Sequence, residues 1–104
     1  MKKITELARV IRSKNAGPFE LTLDIIFKNG KDYRKVRDDR MIDEETIARL
    51  YGIESSLIKN LIFFDPANAV KVTMKREIPS GAPGDHDIYG AQQHAPLLEL
   101  EFDL

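Results

Sequence analysis

Two stretches of this chain concentrate side chains with chemistry to offer. The first is Arg12-Ser13-Lys14-Asn15, followed by a permissive backbone at Gly17. Two cations, a hydroxyl and an amide side by side suit a carboxylate or a phosphate, because a guanidinium grips such groups bidentately and exposed N–H groups add to the field. In a plain exposed turn the same cations would only be solvated, and Lys14 would pair with Asp85 or Asp87. The second stretch, 80–94, gathers Asp85, His86, Asp87, Tyr89, Gln92, Gln93 and His94 around Gly90. Imidazoles exchange protons near neutral pH, which makes His94 the candidate proton carrier. Asp87 is placed to orient one of the cations or to open a helix. Asp85, Gln92 and Gln93 add acceptors and donors for a substrate. In a short helix His94 lies one turn beyond Gly90, where the missing side chain lets a substrate or a backbone approach. The blander role for His94 is a partly buried ring bonded to a backbone carbonyl.

Other chemistries find little support. A metal would have to use Asp85, Asp87 and His86 or His94, a spacing that matches no compact ligand motif. No metal and no cofactor is expected. Cysteine is absent, which removes disulfides, thiolate catalysis and thiolate metal sites. Ser13 and Ser80 lack a nucleophile-elbow sequence, and no glycine-rich loop of a nucleotide-binding type follows a strand. The 16 Lys and Arg are balanced by 17 Asp and Glu, so no overall cationic field draws the chain to nucleic acid or an anionic membrane. The longest uninterrupted apolar run, 61–64, is far too short to span a bilayer, and the first residues lack the apolar core of a secretory signal. A soluble cytoplasmic protein is the expectation.

The elements that must position these residues follow from periodicity. With 104 residues, 42% of them hydrophobic, the chain has material for one core and one domain, 1–104. Residues 4–11 read as a turn followed by a strand. Residues 19–27 alternate Phe19, Leu21, Leu23, Ile25 and Phe27 against Glu20, Thr22 and Asp24, the clearest strand in the sequence. Its second face is polar except for Ile26 and must meet water or a partner. A short surface helix carries Tyr33 and Val36. A firmer one runs from Asp43 to Tyr51, with Asp43 as N-cap and Gly52 as its stop. Residues 57–64 and 70–74, joined by Asp65-Pro66-Ala67-Asn68, read as a β-hairpin in which the rings of Phe63 and Phe64 point to opposite faces and serve core packing rather than ligand stacking. A Pro- and Gly-rich loop spans 79–85, two helical turns are expected over 88–94, and Leu98, Leu100 and Phe102 alternate as a final strand. Residues 1–14 carry five cations and one anion, while 85–104 carry five anions and no Lys or Arg. The first and last elements should therefore be neighbours in one sheet. The expected class is α+β, a mainly antiparallel sheet with helices on one face, with a ferredoxin-like relative plausible.

The block from Arg12 to Thr22, the block from Gly84 to Leu98, and the shorter Leu50-Tyr51-Gly52-Ile53 and Phe63-Phe64-Asp65-Pro66 together resemble a bacterial domain-of-unknown-function family, number 4387. That family is similar to the small C-terminal ferredoxin-like domain of acyclic terpene utilisation proteins. There a strand ends in an Arg-Ser-Gly-Asp-Lys-Gly type turn, and a later Asp-x-x-Gly opens a helix. Arg12 and Ser13 match the start of that turn, and Lys14-Asn15-Ala16 replace its centre. Asp87-Ile88-Tyr89-Gly90 matches the second element, with Ala91 where a lysine often follows.

The resemblance implies a small protein working beside a separate larger subunit in acyl-CoA or carboxylic acid catabolism. On this expectation Arg12, Ser13, Lys14, Asn15, Asp85, Gly90, Gln92 and Gln93 hold a small anionic ligand, and His94 and Asp87 act on it at the interface. The competing expectation is a self-sufficient homodimeric lyase, hydratase or isomerase acting on a small carboxylic acid, since a domain this small rarely encloses a deep pocket.

Overall fold

The computed structural model describes residues 1–17, 19–76 and 94–104 of the chain. Two antiparallel sheets carry the fold. A small one pairs β1 (Lys2–Lys3) with β6 (Glu101–Phe102), setting Lys3 opposite Glu101, so the basic first strand and the acidic last strand are neighbours as their charges demand. The larger sheet contains β2 (Ala8–Gly17), β3 (Glu20–Phe27), β4 (Ile58–Phe64) and β5 (Ala69–Lys75) in the order β2-β3-β5-β4. All its neighbours are antiparallel. It is therefore two hairpins joined through β3 and β5. This β-β-α-α-β-β connectivity differs from the β-α-β-β-α-β order of the ferredoxin-like motif, and what the strands establish is the broader class, an antiparallel α+β fold.

Local chemistry explains each helix. A single turn, α1 (Ile4–Leu7), buries Ile4 and Leu7 before β2 begins. For α2 (Gly30–Asp38) the Asn29 side chain accepts a 2.9 Å hydrogen bond from the Asp32 backbone N–H, capping the first turn. For α3 (Glu44–Tyr51) Asp43 does the same with the Thr46 N–H at 2.8 Å. Gly52 ends that helix in the left-handed region, φ 64°, which its missing Cβ makes inexpensive.

Leu21, Leu23, Ile25 and Phe27 on β3 and Val70, Val72 and Met74 on β5 form the floor of the core. Tyr33 and Val36 from α2 and Ile47 and Ala48 from α3 cover it. The opposite face of the same strands is left open by every described element. Phe63 packs at the core with its ring 6.4 Å from that of Tyr33, whereas Phe64 is 48% exposed on the other face.

The expected final strand needs correction. Residues Ala95–Glu99 form a 3-10 turn with Pro96 at its start, and only Glu101–Phe102 are extended. Leu97, Leu100 and Phe102 are nonetheless all buried. Alternating apolar residues serve a tight turn against a core as well as a strand, and a short window does not separate the two. The expected helical turns at 88–94 and the loop at 79–85 lie outside the described residues, His94 apart.

Candidate functional site

Strand alternation splits the first candidate block. Arg12 and Lys14 point to the open face, where they stand beside Asp24 and Thr22 of β3. Ser13 and Asn15 point to the other side, opposite Leu23 and Leu21. Ser13 is 8% exposed, and Asn15 accepts a 2.6 Å hydrogen bond from the Arg76 guanidinium just beyond β5. The four residues that lie together in sequence therefore serve two surfaces.

The open face is organised in rows across the strands. One row, Val10, Ile26, Ala69 and Phe64, is apolar. The next is Arg12, Asp24, Lys71 and Ile62, and the third is Lys14, Thr22, Thr73 and Asn60. At the far end Lys59 of β4 reaches over β5 to form an ion pair with Glu20 of β3.

Asp24 is the centre of this arrangement. Only 6% exposed in the middle of the sheet, it accepts a 3.0 Å hydrogen bond from Arg12 Nε through Oδ2. Its second oxygen, Oδ1, is buried and has no hydrogen-bond partner. Leaving such an acceptor unmet costs about 1–3 kcal/mol. Asp24 was not singled out from the sequence, where it reads as one polar residue in an alternating strand. Its importance comes from Arg12 and Lys71, which the pairing of three strands brings to its two sides.

His94 lies elsewhere. It precedes the 3-10 turn Ala95–Glu99, which packs against α1 and α3 in the helical layer. The sheet stands between that turn and the Arg12 guanidinium. Asp85, Asp87, Gly90, Gln92 and Gln93 lie outside the described residues. Among the described residues no group of three or more His, Asp or Glu is placed to hold a metal ion, and no helix is long and apolar enough to cross a membrane.

A second polar cluster went unnoticed in the sequence. The Tyr33 hydroxyl donates to Asp65 Oδ1 at 2.6 Å, and Arg37 Nη1 donates to the same oxygen at 3.0 Å while its guanidinium lies 5.8 Å from the Tyr33 ring centre. Burial, reinforced by the hydrogen bond to the Asp65 carboxylate, pushes the Tyr33 phenol up to about 12, and the Tyr33 and Arg37 donors hold Asp65 below the ordinary carboxylate range. A phenol held neutral this firmly is a structural latch rather than a base. A groove of about 420 Å³ lies between Lys2, Lys31, Asp32, Lys35 and Leu104, and none of the described residues nominated from the sequence lines it.

A family model described as Domain of unknown function (DUF4387) matches residues 4–101. The chain belongs to that family. Within DUF4387 the match takes in both candidate blocks, the whole of the larger sheet and the helical layer. No curated protein and no solved structure matches the chain.

Proposed function

We propose that this DUF4387 protein is the small subunit of a cytoplasmic assembly with a larger protein of the acyclic terpene utilisation type, and that it contributes cations to a site for an acyl-CoA or carboxylic acid. The observation that carries this reading is the open sheet face, on which Arg12 and Lys14 sit exposed beside an apolar row. A flat sheet offers an anion charge and hydrogen bonds but no walls, and enclosure must come from a second surface. Arg12 is fixed in direction by Asp24, which leaves the rest of its guanidinium fork to reach outward, and Lys14 stands one row along on the same face.

Co-expression with the larger protein encoded beside it tests the reading. The two should leave a sizing column together, and catalysis by the pair should fall when Lys14 is replaced by Ala. Independent elution, with full activity in the large protein alone, overturns it. Saturable thermal stabilisation of the isolated chain by small carboxylic acids or acyl-CoA thioesters would instead favour the self-sufficient homodimer.

A further inference from the structure

We infer that the open face of the β2-β3-β5-β4 sheet is the surface on which a protein partner docks, and that the partner's matching surface is acidic and offers a hydrogen-bond donor above Asp24. This rests on the subunit reading and adds to it the place of contact and the chemistry of the other side.

Three observations converge. The first is charge. The face carries five cations, Arg12, Lys14, Lys59, Lys71 and Lys75, against two anions, Glu20 and Asp24. Both anions are already engaged, Asp24 by Arg12 and Glu20 by Lys59. Lys14, Lys71 and Lys75 remain in excess on a protein whose overall charge is only −1, and with Lys14 turned to the ligand, Lys71 and Lys75 are left for the partner. A second copy applied to the same face through a two-fold axis would set these lysines against their own kind, whereas carboxylates on a different protein would neutralise them.

The second observation is the apolar margin. Phe64, 48% exposed, and Ile62, 50% exposed, sit on the edge strand, and the Phe64 row runs on through buried Ala69 to half-buried Ile26 and Val10. Exposed aromatic and aliphatic side chains beside a charged row give a partner both apolar area to bury and charge to match. A polyanion such as nucleic acid would use the lysines but not this apolar area.

The third is Asp24 Oδ1. It is a carboxylate oxygen in a side chain more than nine-tenths buried, without a partner, on the side of the sheet that no described element covers. Arg12 stays bonded to Oδ2, while the Lys71 side chain on the other flank is long and exposed, so it can swing aside and let an N–H or O–H from above reach Oδ1. Until a donor arrives the acceptor stays unmet, which makes the isolated face the incomplete form.

The test uses the full chain and its larger partner in a binding titration. Lys71→Glu/Lys75→Glu should weaken the complex at least tenfold, and the affinity of the unaltered pair should fall as salt is raised. Lys31→Glu/Lys35→Glu, an equal charge change on α2 in the helical layer, should bind like the unaltered chain. Asp24→Asn keeps an oxygen for Arg12 but turns a donor toward the partner's donor, so it should weaken binding several-fold while the circular dichroism spectrum stays unchanged. A complex that forms equally well with the Lys71/Lys75 reversal overturns the docking surface and leaves the subunit reading standing. Absence of any complex with the unaltered chain overturns the subunit reading and the docking with it. Sedimentation that finds the chain dimeric, with Phe64→Ser returning it to monomer, assigns the face to a second copy and overturns the acidic partner.

Discussion

The Tyr33 hydroxyl donates a 2.6 Å hydrogen bond to Asp65 Oδ1 across 32 residues of chain, tying the buried face of α2 to the turn between β4 and β5. The phenol ring is itself locked between Phe27, 6.0 Å away, and Phe63. Helix, central strand and edge hairpin thus meet at one side chain.

Tyr33→Phe removes that bond and leaves the ring packing intact, so it should cost about 0.5–1.5 kcal/mol in urea unfolding. The alkaline limb gives a second signature. Folding raises the phenol from about 10 to about 12, so this stabilisation is complete below pH 10 and is lost as pH rises through 12. The Tyr33→Phe protein should lose less stability than the unaltered one between those values.

Arg12 and Asp24 show how an exposed residue can carry structural weight. The Arg12 side chain is 61% exposed, yet it is the cation bonded to a carboxylate that is only 9% exposed. Arg12→Ala should destabilise by about 1–3 kcal/mol, whereas Arg9→Ala, on an exposed neighbour in the same strand, should stay within about 0.5 kcal/mol. In Arg12→Ala/Asp24→Asn the two costs should fall short of adding, because Asn no longer leaves a buried charge behind.

Asp43 is a helix cap with a pH dependence. The Thr46 N–H bond holds its carboxyl below the usual range, so its contribution is present at neutral pH and is lost as pH falls from about 4 through the depressed folded value. Asp43→Ala should cost about 1 kcal/mol at pH 7. Asp43→Asn, an equally good cap, should match the unaltered protein at pH 7 and show a flatter acid limb in thermal melts followed from pH 6 to pH 2.

Gly52 has open space around its missing Cβ, and its φ of +64° is the obstacle to any larger residue. Gly52→Ala should therefore cost about 1–2 kcal/mol through backbone strain alone, and Gly52→Asn less. Chemical denaturation of the pair checks the order.

The alternation of Leu21, Leu23, Ile25 and Phe27 was enough to define β3 and its buried face, and Asp43 with Gly52 bounded α3 to the residue. Those features are written in neighbours three or four positions apart, which is the range over which strand pleat and helix caps act. That the first and last elements are neighbours was also legible, because opposite charge at the two ends is a long-range signal that composition preserves. The 3-10 turn at 95–99 was not, since its apolar spacing is shared with a strand. Nor was the division of Arg12 and Lys14 from Ser13 and Asn15. Proximity in sequence suggested one cluster, but two-residue alternation across a sheet with one covered and one open face sends adjacent side chains apart. Asp24 gained its cations and its unmet oxygen only when β2, β3 and β5 were laid side by side. Local sequence chooses which elements form. Which charges meet is decided by the register of strands far apart in the chain, and that register is set by the shared core beneath them.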